Sequence, residues 1–130
     1  MVAYSFKAKF AEPILAGIKG GTIRGDRRRH ARPGEELQLY TGMRTKQCRL
    51  IGRRTCVAVD LISMDFGANP RISIGETEIA RMALLDRLAV FDGFHNFDDM
   101  AAFWKEEHDI RRWAGWHIRW LPLPDGIGAA

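Results

Sequence analysis

Cysteine is nearly missing from this chain. Only Cys48 and Cys56 occur in 130 residues, eight positions apart and without a CxxC pair. That spacing excludes a disulfide framework and a cysteine zinc site, and leaves two reduced strand residues as the plain reading. Histidine is scattered too: His30, His95, His108 and His117 show no HxxxH or HxH spacing, so neither a metal nor another cofactor is expected. Long apolar runs are absent, and with them any bilayer-spanning stretch or membrane partner. The opening MVAYSFKAKF alternates polar and apolar residues where a secretory signal has an uninterrupted apolar region, so a cytoplasmic location is expected. No internal repeat or linker is visible. Residues 1–123 therefore read as a single domain, with 124–130 as a fraying glycine- and alanine-rich tail. Oligomeric state is not legible.

Lysine is also sparse, five against fifteen arginines, and acidic residues are rare in one half. Residues 1–54 carry 13 Lys and Arg against 4 Asp and Glu, whereas 55–130 carry 7 against 12. Such polarity favours a phosphate-bearing partner on one side, and arginine adds planar, bidentate and stacking capacity. A GC-rich genome produces the same arginine bias.

What is present organises into short strands and two helices. Tyr4, Phe6, Ala8 and Phe10 alternate with Ser5, Lys7 and Lys9, which predicts a half-buried strand over 4–10. GDRRRHARP, residues 25–33, reads as a solvated, mobile basic loop. EELQLYTG is a strand, MRTKQ a loop, and 48–64 a β-rich segment interrupted at Gly52-Arg53-Arg54 by a bulge or hairpin. A strand at 70–74 precedes a helix over 77–91 with Thr77 as its N-cap, and a second helix spans 97–108 with Asp98 and Asp99 in its first turn. WAGWHIRWLPL closes the chain as a strand in which Trp116, Ile118 and Trp120 alternate with His117 and Arg119. The pattern is that of an α+β domain: a curled sheet or small barrel with two or three flanking helices.

One stretch carries chemistry. In PILAGIKGGTIR, Gly17, Gly20 and Gly21 surround Lys19 and Thr22, and bare backbone N–H groups beside a lysine suit an anionic or polar planar ligand. A helix C-cap at Gly17 followed by an ordinary turn is the plainer alternative. A desolvated lysine three residues from a threonine can activate its hydroxyl.

These residues resemble the ASCH family, a PUA-like β-barrel fold associated with RNA. The likeness runs from Phe6 to Leu121. It rests on G-x-K-x-x-T-x-R, met by Gly17, Lys19, Thr22 and Arg24, and on A-x-x-[DE]-G-F from Ala89 to Phe94. It implies a metal-independent amidohydrolase that removes the acyl group from N4-acetylcytidine or related nucleosides or nucleotides. Lys19, Thr22 and Asp92 would be catalytic, with Asp92 one methylene shorter than the family's usual glutamate. Gly20, Gly21 and Arg24 would hold the substrate or its oxyanion. Other members of the family resemble single-stranded RNA ribonucleases or RNA readers. In that alternative Tyr40 is a general base and Lys46, near Arg44, binds phosphate. A third class, a non-catalytic binder, would stack bases on Trp104, Trp113, Trp116 and Trp120, residues that more often form core. His95, next to the Asp92-Gly93-Phe94 turn, is a further site candidate.

Overall fold

In a computed structural model, which describes residues 1–108 and 111–127, eight strands and three helices follow one another as β1 (Val2–Phe6), α1 (Ala11–Leu15), β2 (Gly21–Arg24), β3 (Glu36–Thr41), β4 (Arg49–Thr55), β5 (Ala58–Asp65), β6 (Arg71–Ile74), β7 (Thr77–Ile79), α2 (Met82–Phe91), α3 (Phe97–His108) and β8 (Arg112–Arg119). The protein is α+β. Its strands form two sheets that do not close into a barrel: β1-β3-β4, with β1 and β3 parallel, and the antiparallel β2-β8-β5-β6-β7. No helix among the described residues is long and apolar enough to cross a membrane.

Alternation sets the first sheet. Val2, Tyr4 and Phe6 on β1 and Leu37 and Leu39 on β3 are buried, in direct register at Val2–Leu37 and Tyr4–Leu39. The expected strand over 4–10 is shorter and starts earlier, because a single 3-10 turn at Ala8–Phe10, closed by Phe10 N–H to Lys7 O at 3.0 Å, swings Phe10 into the core. Of the bulge or hairpin expected at Gly52, β4 forms the bulge. The strand runs through Gly52, with the bulge where Leu39 faces Gly52 and Tyr40 faces Leu50, and the chain changes sheet only at Cys56-Val57.

The helix expected over 77–91 begins later. Thr77–Ile79 folds back on β6 as β7, and Arg81, with no side-chain cap, precedes α2. Ile79 suits both a helical spacing and a strand alternation, and pairing with Ile72 decides for the strand. Leu85, Leu88 and Ala89 then bury one face of α2, each side chain the size of leucine stabilising by roughly 1.5–3 kcal/mol. The expected 97–108 helix is α3, capped by Asn96 Oδ1, which accepts the Asp99 N–H at 2.8 Å, and tied to α2 by Phe97 N–H to Asp86 Oδ1 at 2.9 Å.

Two segments expected to be loose are anchored. In the 25–33 loop, Ala31 is buried, His30 stacks on Tyr4 and hydrogen-bonds its hydroxyl at 2.8 Å, and Arg27 reaches Ala3 O. Of the 124–130 tail, residues 128–130 lie outside the described residues. Residues 124–127 dock on α2, with Ile127 buried and Arg87 Nη1 donating to Asp125 O at 2.8 Å.

Candidate active site

The glycine stretch closes on itself. Gly17 takes φ +76 and its N–H bonds Ile14 O, so it does stop α1, as the plainer reading held. The next two N–H groups, of Ile18 and Lys19, both reach Pro13 O, at 2.9 and 3.0 Å, and Gly20 N–H bonds Phe91 O at 2.8 Å. These donors are spent on the fold, which corrects the expectation of a bare backbone cradle at Gly20. Gly21 begins β2 opposite Arg119. The role of Gly20 is close approach: a Cβ there would collide with the Phe91 ring, so only glycine lets this loop bond the end of α2.

That bond sets Lys19 beside Asp92. α2 ends in a Schellman turn, with Phe94 N–H to Ala89 O at 2.9 Å and Gly93 N–H to Val90 O at 3.0 Å, Gly93 taking φ +99. The carbonyl of Asp92 accepts the Lys19 Nζ hydrogen bond. The main chain of Lys19 is fixed as well, its carbonyl accepting the Trp120 indole N–H at 3.1 Å. The ammonium lies over the Phe10 ring at 4.8 Å and the Phe6 ring at 5.5 Å, and only 3% of the residue is exposed. Burial pulls the lysine from its ordinary 10.5 down to about 7, against the opposing pull of the Asp92 charge and with a further push from Arg24.

Lys19, Thr22, Arg24 and Asp92 line one cavity of about 280 Å³. Much of its remaining wall is aromatic, from Phe6, Phe10, Phe94, Phe103, Trp104 and Trp113, with Lys7 and His108 also lining it. Thr22 is buried, and its Oγ1 accepts Arg24 Nε at 3.0 Å. Arg24 Nη2 donates to Ser5 O at 2.7 Å, and its guanidinium covers Phe6 at 4.8 Å and Tyr4 at 5.3 Å. Burial lowers Arg24 to about 10, which leaves it a cation at neutral pH.

The chain matches no protein-family model, no curated protein and no solved structure.

The Asp92 carboxylate turns to His117. Asp92 Oδ1 lies 2.9 Å from His117 Nε2, both residues at most 1% exposed, while Asp92 Oδ2 and His117 Nδ1 are buried with no partner among the described residues. His117 is the residue that sequence reasoning missed. Alternation placed it on the polar face of the last strand, yet near the end of β8 both faces are covered, with Phe91 at the end of α2 packing on the imidazole, so His117 and Ile118 are buried together. Among the described residues no three His, Cys, Asp or Glu side chains gather as a metal site would require.

The other candidates stand elsewhere. Tyr40 and Lys46 do not line the cavity: the Tyr40 hydroxyl donates to Gln38 Oε1 at 3.2 Å, and Lys46 is exposed in the β3–β4 loop. His95 is exposed, with its N–H on Asp99 Oδ2. The tryptophans divide: Trp104 and Trp120 are core, and Trp113 and Trp116 are half-buried, Trp113 meeting Trp104 at 4.6 Å in the cavity wall and Trp116 bonding Asp26 through its indole N–H.

Proposed function

We propose that this protein is a metal-independent amidohydrolase that cleaves the acyl amide of an N4-acylated cytosine nucleoside, on an α+β domain of PUA-like form. The observation that carries the reading is a buried lysine, held near 7 and sharing one aromatic-walled cavity with a buried threonine and an aspartate. The resemblance of Gly17, Lys19, Thr22 and Arg24 to the ASCH motif points to the same chemistry.

A lysine near 7 is partly neutral at physiological pH and so serves as a base, which an ordinary lysine does not. Lys19 takes the proton of Thr22 as Oγ1 attacks the acyl carbon, and Arg24, already donating to Oγ1, favours the negative charge that grows there. The C–N bond breaks as the Lys19 ammonium returns its proton to the cytosine amine. Water then attacks the acyl carbon as the neutral lysine takes its proton, and the bond to Oγ1 breaks as that proton passes to Oγ1, releasing the carboxylic acid and restoring the Thr22 hydroxyl. With the Gly20 N–H committed, the charged Lys19 and Arg24 are the cations that face the oxyanion. The aromatic wall suits a planar base, which stacks without needing sequence readout.

The test is release of cytidine from N4-acetylcytidine, followed by chromatography, with wild-type protein and Lys19→Ala. Turnover that disappears in the variant supports the reading. Full activity in Lys19→Ala, or none in the wild type across a panel of N4-acylcytidines, overturns it.

A further inference from the structure

Asp92 is gripped at two points. Its main-chain carbonyl accepts the Lys19 hydrogen bond, and its Oδ1 faces His117 Nε2 at 2.9 Å. We place the hydrogen between them on Nε2, the ring donating and the carboxylate oxygen accepting. Nothing else satisfies the carboxylate among the described residues, since Oδ2 has no partner. The imidazole has little freedom: it is fully buried, packs edgewise on Phe91 at 6.1 Å, and lies on β8 opposite Ile23 of β2 and Asp60 of β5.

From this geometry we infer that His117 is a positioning residue for Lys19, acting through Asp92: its Nε2 holds the carboxylate at the end of α2, and the residue so held fixes the lysine amine through its carbonyl. The inference rests on the amidohydrolase reading for its use in catalysis, but the coupling itself does not need turnover to be seen. A buried carboxylate that loses its donor is no longer held beside the amine. The charge that pulls Lys19 upward is then lost, while burial and Arg24 still push downward. The groups that face Lys19 or share its cavity are Asp92 at the end of α2, Arg24 on β2, Lys7 after β1, and His108 at the end of α3. Lys7 is held by Glu107 at 2.9 Å in solvent, and His108 stacks on Trp104 at 4.4 Å, so Asp92 is the one anion among them.

The experiment follows the Lys19 side-chain titration by NMR in wild type, His117→Gln, His117→Leu, Asp92→Asn and the double variant that combines His117→Leu with Asp92→Asn. Glutamine keeps an N–H donor and should leave the midpoint near 7. His117→Leu and Asp92→Asn should each move it at least about one pH unit lower, and combining them should add nothing further. The acid limb of kcat/KM on N4-acetylcytidine should move the same way. An unchanged midpoint in His117→Leu, a midpoint in His117→Gln that falls as far as in His117→Leu, or full additivity in the double variant overturns the inference. Should His117→Leu lose its cooperative melt, the 15N spectrum of the wild-type imidazole decides: hydrogen on Nε2 is required, and a neutral ring protonated at Nδ1 overturns the proposal. Absence of turnover with the NMR coupling intact would remove the hydrolase reading and leave the coupling standing.

Discussion

Two groups of cations divide this molecule. Lys19 and Arg24 lie in the wall of an aromatic cavity, whereas Arg27, Arg28, Arg29 and Arg32, with Arg44 and Lys46 of the β3–β4 loop, sit in water. The surface group behaves as ordinary solvated charge. Arg29 meets Glu35 at 2.5 Å and, chiefly through that hydrogen bond, holds its carboxyl down at about 2, in a pair open to screening by salt. The buried group cannot be screened, and desolvation dominates it, taking Lys19 to about 7. Composition counts all these charges alike, and only burial separates a lysine near 7 from solvated surface charge.

The sharpest way to break that contrast is to remove the buried amine. Lys19→Met should lower kcat/KM on N4-acetylcytidine by at least about 10³-fold, measured by cytidine release. The same variant should be more stable, by roughly 1–3 kcal/mol at pH 7 in urea melts, because a buried ammonium no longer has to be desolvated. The sign can be checked by pH. Between about 7 and 10.5 the unfolded lysine binds a proton that the folded one lacks, so wild-type stability rises with pH across that window. In Lys19→Met this rise should be absent. Thr22→Ala should follow at about 10²–10³-fold in kcat/KM, with Thr22→Ser within about tenfold of wild type, since serine keeps the attacking hydroxyl.

How much of this was legible depends on what each residue answers to. Lys19 and Thr22 stood out by type and spacing, Asp92 only by the family resemblance, and the structure brings all three to one cavity. The α3 boundaries were readable because 97–108 has an apolar stripe and acidic residues in its first turn. His117 was not, because alternation reports one buried face, and only the packing of Phe91 from α2 covers the other face at His117. Gly20 was read as a ligand-facing turn when its N–H and its missing Cβ serve the Phe91 contact, a partner 71 positions away that no local pattern shows. The β7–α2 boundary failed for a similar reason, since Ile79 takes its conformation from pairing with Ile72. The loop over 25–33 looked mobile from its charges, but Tyr4 and Ala31 anchor it.

A smaller effect tests the scaffold that separates the two groups. Gly93 takes φ +99, and a Cβ there would fall 2.8 Å from both Lys19 Cδ and Phe10 Cδ1. Gly93→Ala should therefore cost about 1–3 kcal/mol in urea melts, the left-handed backbone and the crowding acting together. Its activity should fall further than its stability loss accounts for at temperatures where the variant is fully folded, because relief of the clash displaces the lysine.

The smallest expected effect sharpens the contrast from the solvent side. Tyr40→Phe and Lys46→Ala remove groups that do not line the cavity, so kcat/KM on the uncharged nucleoside should stay within about twofold of wild type. Raising sodium chloride from about 50 to about 500 mM should also leave it nearly unchanged, because a neutral substrate releases no condensed counterions on binding. A steep fall with salt, or with Tyr40→Phe, would mean that turnover engages a polyanion along the exposed arginines. The surface cations would then be part of the site, and the division between buried chemistry and solvated charge would not hold.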